Sequence, residues 1–320
     1  MAHYTVQSPV LLLVFNRPDV ARRVFDRVKA VRPSRLYIAA DGPRPGVEKD
    51  GLLCKATREI YNQIDWDCSV RTRFNEVNKG CKVAVAEAIT WFFEQEEEGI
   101  ILEDDCLPSA DFFPFCDQLL QRYRYDTRIM NITGTNLQMG RKWGEASYYF
   151  SQYSHIWGWA SWRRAWQHYD MELSEYDEPS VNRLLGNIFT DPFLIEGWTD
   201  IFRRLKAGLI DSWDYQFNFT TFFQNGLCIA PQVNLISNLG FRPDATHTYN
   251  APKDHAALPT GVIDNPLVHP SYFIPEKQAD YFFLNRDFDL EGKWRTYHKN
   301  RVWRRRFKRW LRSYFRQPAS

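Results

Sequence analysis

Glu103, Asp104 and Asp105 directly follow an apolar stretch at residues 99–102. Three adjacent carboxylates at the end of a buried segment are costly unless something cationic neutralises them. In an extended strand Glu103 and Asp105 point to one side and Asp104 to the other. A divalent cation shared with a phosphate substrate is the natural compensation. Hard ions such as Mn²⁺ or Mg²⁺ take one or two carboxylates and complete their shell with phosphate oxygens and water. A second acidic pair, Asp211 and Asp214, lies within an aromatic-rich stretch, residues 211–217. Trp213, Tyr215 and Phe217 would desolvate Asp214 and raise its pKa, as a general base requires. Asp211 reads as a helix N-cap. Asn78 and Lys79 open a helical pattern, where amide dipoles and the Lys79 charge favour an anion.

The elements that must position these groups are legible upstream. Residues 10–15 form a short apolar run ending at Asn16-Arg17-Pro18, which reads as a buried strand and a loop. Asp19 is placed to cap the next helix, with Val20, Val24, Val28 and Val31 on one face. A second strand, residues 36–40, ends at Asp41-Gly42-Pro43. A helix over about 51–64 and a strand over 69–74 follow. The helix after Gly80 turns Val83, Ala84, Ala88, Trp91 and Phe92 inward. A strand at 99–102, a helix at 110–123 and a strand at 128–133 complete the series. This alternation predicts a parallel sheet with helices on both faces. Polar residues fall at the carboxyl ends of the strands, the edge where open α/β sheets bind ligands.

After residue 140 the alternation stops. Residues 146–170 are dense in aromatics, 191–224 read as helical with a break near 208–213, and 227–275 mix short strands with Pro-rich loops. The acidic run at 94–98 reads as a solvated helix end.

The chain has 320 residues, with 44% hydrophobic and 25% charged residues, which excludes disordered and collagen-like classes. The six cysteines show no CxxC spacing, which argues against a zinc ribbon. The longest early apolar run has six residues against the roughly 20 of a membrane span, and no signal-peptide pattern is present, so a cytoplasmic protein is expected. Net charge is +2, yet residues 299–316 carry nine basic residues and no acid. There Trp303, Phe307, Trp310, Leu311 and Tyr314 form a helical stripe among Arg and Lys, the pattern of a helix lying on an anionic membrane. The expectation is a peripheral enzyme on the inner membrane face, with no nucleic-acid partner because no binding module is recognisable.

The ordered motifs Phe15-Asn16-Arg17-Pro18, Ala40-Asp41-Gly42, residues 78–89 and Ile101-Leu102-Glu103-Asp104-Asp105 resemble the nucleotide-sugar-binding half of a GT-A glycosyltransferase. They are most similar to the N-acetylglucosaminyltransferase I type and its bacterial relatives. Residues 156–170, 211–217 and 238–248 resemble the bacterial members. The resemblance implies a Rossmann-like α/β fold of the GT-A kind, with a donor half at 1–135, an irregular acceptor half at 136–295 and an amphipathic tail at 296–320. It implies that Asn16, Arg17 and Asp41 hold the nucleotide, with Asp41 accepting a uracil imide N–H and Arg17 meeting base or phosphate. Glu103 and Asp104 would contact sugar and ribose, and Asp105 would bind the metal, with His247 on the metal or the diphosphate. Gly158, between Trp157 and Trp159, would be a close-approach glycine against donor or acceptor. The expected reaction is metal-dependent, inverting transfer of a sugar, with a lean towards N-acetylglucosamine, from a UDP-sugar to a glycan or lipid-linked hydroxyl. Asp214 is preferred as the base. The alternatives are a sugar-phosphate nucleotidylyltransferase, whose usual Gly-rich loop is missing after the first strand, and an inactive membrane-associated scaffold.

Overall fold

The protein is described by a computed structural model over residues 4–241 and 257–299. His247 and the basic stripe beyond residue 300 lie outside the described residues.

Strand β1 (Val10–Val14) is buried along its whole length. Its alternate residues face two different cores. Val10, Leu12 and Val14 pack with α1 (Pro18–Val31), while Leu11 and Leu13 pack with α3 (Cys81–Gln95). Helix α1 buries Val20, Val24, Val28 and Val31, the stripe its spacing predicts. Its N-cap is Arg17 and Pro18 is its first residue, so Asp19 sits in the first turn and does not cap it. Strand β2 (Arg35–Ala40), helix α2 (Glu48–Arg58), strand β3 (Ser69–Phe74) and strand β4 (Glu98–Glu103) complete the first half of the sheet. β5 (Cys106–Pro108), α4 (Phe112–Tyr123) and β6 (Ile129–Thr133) follow.

β1 pairs parallel with β2 and β4, and β2 pairs parallel with β3. The expected α/β fold is present, with helices on both faces of a mostly parallel sheet. The aromatic segment adds what the sequence reading left out. β7 (Tyr148–Ser151) and β8 (Trp159–Trp162) come from it, and β9 (Leu227–Pro231) from further on. The eight strands run β3-β2-β1-β4-β8-β6-β9-β7. β8 is antiparallel to both β4 and β6, and β7 is antiparallel to β9, so these two strands run against the rest. Trp159 joins the core under α3 and Trp162 the core under α4, because successive strand residues face opposite ways. The sheet therefore continues across residue 135.

A small antiparallel pair, β10 (Ile236–Asn238) on β5, ties the late chain to the segment after β4. Helices α5 (Arg163–Trp166), α6 (Glu178–Ile188), α7 (Pro192–Lys206), α8 (Asp214–Phe223) and α9 (Lys277–Phe288) occupy the later chain. Side chains of α6 to α9 share an aromatic core that includes Phe202, Phe222 and Tyr153. The acidic run is not fully solvated as expected. Glu96 is 6% exposed and accepts hydrogen bonds from Arg35 at 2.6 Å and Tyr37 at 2.7 Å.

Asp280 of α9 makes folding sensitive to pH. Its buried carboxylate accepts hydrogen bonds from Ser151 Oγ at 2.6 Å and the Gln152 amide at 3.1 Å. Burial outweighs these bonds and pushes its pKa up to about 7. The folded chain therefore keeps a proton that an unfolded aspartate releases near pH 4. Stability from neutral Asp280 is present at pH 4 and is lost as pH rises towards 7. At about 1.4 kcal/mol per pKa unit, that loss is on the order of 4 kcal/mol. Urea midpoints between pH 4 and 8 should decline less steeply in Asp280→Asn than in the wild type, the raised Glu103 and Asp104 carboxyls keeping the remaining slope. An equal decline in both would assign it to another group.

Candidate active site

The carboxyl ends of β1, β2 and β4 lie side by side, so Asn16-Arg17, Asp41 and Glu103 to Asp105 share one edge. Asp104 is 3% exposed. One oxygen accepts the Phe15 amide at 3.2 Å and the other accepts Arg17 Nη2 at 2.5 Å. Asp104 thereby locks the loop between β1 and α1. Arg17 Nη1 also reaches Asp105 Oδ2 at 3.0 Å.

The Glu103 side chain makes no hydrogen bond among the described residues. Desolvation in the cleft, then Asp105 and Asp104, push its pKa up to about 8, against the pull of Arg17. Burial raises Asp104 to about 6, with Arg17 opposing. Asp214 adds to the negative field on Glu103. Cys81, the first residue of α3, has its thiol pKa pushed well up by burial and then by Glu103, Asp214, Asp211 and Asp105. One side chain thus feels four carboxylates from two distant stretches of sequence. The fourth strand's acidic end and the start of α8 face one cleft.

Asp214 opens α8 and accepts a hydrogen bond from Ser212 Oγ. Trp213 is buried, stacked on Trp159 with centroids 5.7 Å apart, and Phe217 packs on Trp159 at 5.3 Å. Tyr215 turns to a different core, against Trp198. A buried polar network fixes the helix further. Asn218 donates to the Asp214 carbonyl at 3.2 Å and accepts the Ser154 amide at 3.1 Å, and Ser154 Oγ bonds Asn131 and Thr221. The cap of α8 is Trp213, so Asp211 is not the N-cap expected. Its carboxylate lies over Gly80, with Oδ2 3.9 Å from where a Cβ there would stand.

Asp41 builds the neighbouring loop. Its two oxygens accept from the Gly42, Lys79 and Gly80 amides and from the Asn75 and Asn78 side chains, at 2.8–3.2 Å. Both oxygens are filled by protein donors. The Lys79 ammonium pairs with Glu87 at 2.7 Å. Asn16 donates to Asp50 at 2.8 Å, and Arg44 grips the same carboxylate at 2.5 Å and 2.9 Å. Arg44 holds Asp50 down to about pKa 2. Gly158 has φ +59, and a Cβ there would fall 2.3 Å from Ile236, so its tight approach is to the protein itself. Gly240 makes the closest approach to the acids. A Cβ on it would stand 2.2 Å from Asp105 Oδ2, and the Leu239 amide donates to the Asp105 carbonyl at 2.8 Å. Trp157 meets Phe241 edge-on at 5.7 Å beside this turn.

Asp50, Arg44, Asn75, Asn218 and Gly240 were not singled out from sequence. Asp214 and Asn218 lie four apart on one helix face with Thr221 beyond, a polar stripe in an aromatic helix that could have flagged the network. Nothing local marks the Arg44–Asp50 pair.

Among the described residues no three His, Cys, Asp or Glu side chains converge closely enough to hold a metal by themselves. Carboxylate oxygens are the donor type that a hard cation takes. Burial first, and then Asp105 and Asp104, raise the Glu103 pKa, and an ion shared with diphosphate oxygens would relieve the crowding of charge.

No protein-family model and no curated protein matches the chain. Among solved structures, apo-UDP-glucose pyrophosphorylase is similar over 70% of this chain and 90% of its own, at 12% identity and a TM-score of 0.33. The 4-diphosphocytidyl-2C-methyl-D-erythritol synthase of Anaerococcus prevotii is similar over 60% and 84%, at 11% identity and 0.32. HddC of Yersinia pseudotuberculosis is similar over 53% and 80%, at 8% identity and 0.30. None of these three is named a glycosyltransferase. Scores of this size carry no argument about this chain's activity, and its fold rests on the strand order and register above.

Proposed function

We propose that this chain is a transferase acting on a nucleotide-sugar diphosphate, and that it moves the sugar to a hydroxyl acceptor. The observation that carries this reading is the shared carboxyl edge of β1 and β4, where Arg17 meets Asp104 and Asp105, with the Asp211 carboxylate close to Gly80 at the start of α3. It supports a reading in which a candidate base stands near a candidate diphosphate site. The start of α3 offers its positive dipole end beside them. Asp214 accepts the acceptor hydroxyl's proton as that oxygen bonds to the sugar C1, and the C1–O bond to the diphosphate breaks. Glu103 faces the sugar, and Arg17 meets the departing diphosphate. A Mn²⁺ or Mg²⁺ ion held by Asp105, with His247 as a further ligand, would supply Lewis-acid compensation of that leaving charge.

Nucleotidylyl transfer is the second reading. It calls for backbone amides cradling a phosphate chain after the first strand. Here the Phe15 amide is taken by Asp104, and Pro18 has no N–H to give. Incubation with UDP-sugars and Mn²⁺ tests the choice. Release of UDP supports glycosyl transfer, while pyrophosphate-dependent formation of UTP replaces it with nucleotidylyl transfer. Calorimetry showing no UDP binding would leave the scaffold reading.

The amphipathic tail is proposed to rest on an anionic membrane near a lipid-linked acceptor. No helix among the described residues is long and apolar enough to cross one. Deletion after Lys299 should release the protein from anionic vesicles in sedimentation. Undiminished vesicle binding would remove the tail from this role.

A further inference from the structure

Arg17 makes the closest cationic contact in the acidic cleft. It reaches Asp104 at 2.5 Å and Asp105 at 3.0 Å, using a different guanidinium nitrogen for each. Among the described residues no other Lys or Arg pairs with Glu103, Asp104 or Asp105. The two contacts are not equivalent. Asp104 is 3% exposed and held by the Phe15 amide as well, so it is a fixed anchor. Asp105 is 14% exposed and lies against the Gly240 turn.

We infer that Arg17 occupies the divalent cation's position at Asp105 in the free protein, and that a nucleotide diphosphate opens it by drawing the guanidinium away. This rests on the transferase reading above and adds an order of events to it. Arginine presents five donors in a planar fork that matches phosphate oxygens as well as carboxylates. The diphosphate therefore offers Arg17 a replacement for Asp105 while the Asp104 contact serves as a pivot. Asp105 is then open to an ion that the same diphosphate also ligates. Without nucleotide, ion and guanidinium compete for one carboxylate. With it, each has its own partner. Ion and nucleotide then strengthen each other's binding by the same factor.

The test is a Mn²⁺ titration of the full chain, read by electron paramagnetic resonance, with and without UDP. Without nucleotide, Arg17→Gln should bind Mn²⁺ at least tenfold more tightly than the wild type. UDP should tighten Mn²⁺ binding at least tenfold in the wild type and only a few-fold in the variant. Arg17→Lys, which keeps a charge but cannot span both carboxylates, should fall between. Equal or weaker Mn²⁺ binding by Arg17→Gln in the absence of UDP would overturn the inference. Should that variant not fold, the Lys variant decides in the same way: tighter Mn²⁺ binding than the wild type upholds it and equal binding overturns it. A wild type that binds no UDP at any Mn²⁺ level would defeat the transferase reading separately, and the nucleotide-free comparison would still decide what Arg17 does.

Discussion

Asp214→Asn is expected to lose sugar transfer by ~10²–10⁴-fold, the usual worth of a positioned general base, with UDP affinity nearly unchanged. The substitution keeps the size and the Ser212 contact while removing the proton acceptor. The helix that carries it is held independently, by Trp213 on Trp159 and by Asn218 on Ser154. A folding defect is therefore not expected, and circular dichroism should overlay the wild type. Donor affinity by calorimetry and turnover with an acceptor together decide the role. A large loss of UDP binding would make Asp214 a ligand for the donor. Unchanged turnover would pass the base role to Asp211, whose carboxylate faces the same cleft from above Gly80.

Asp105→Asn should weaken Mn²⁺-dependent UDP binding by ~10–100-fold, the range seen when a metal site's ligand support is removed. The side chain keeps its shape under Gly240, so the turn at residues 238–241 has no steric reason to move. Asp104 and its grip on the β1–α1 loop remain. A second readout is independent of the metal. Asp105 is the leading charge that raises Glu103, after desolvation. Removing it should lower the Glu103 pKa from about 8, measured by carboxyl NMR titration. Metal-dependent UDP binding at wild-type strength would take Asp105 out of the site.

Much of the first half of the fold is written locally. The run at residues 10–15 cannot be exposed without cost, and it stops at Asn16 and Arg17, so both the strand and its polar end were readable. The same holds for Ala40-Asp41 and for the acids after β4. The valine spacing in α1 was readable because a helix face repeats without knowledge of its partner. Glu96 was misread because its burial depends on Arg35 and Tyr37, which precede it by about sixty residues. β8 was missed because its four residues, two of them Trp, match a core segment of any kind. Only pairing with β4 and β6 makes them a strand.

The candidate site divides in the same way. Residue type told which groups can carry charge: a triple acid, an arginine beside a proline, and an aspartate set among aromatics. Sequence order placed the first two at strand ends. Tertiary structure decided their partners. It filled the Asp41 oxygens with loop donors, gave the Lys79 ammonium to Glu87, and joined Arg17 to Asp104 and Asp105. The reason is range. Apolar periodicity is set within a few residues, whereas a hydrogen bond or ion pair depends on groups that meet only after the chain has closed on itself.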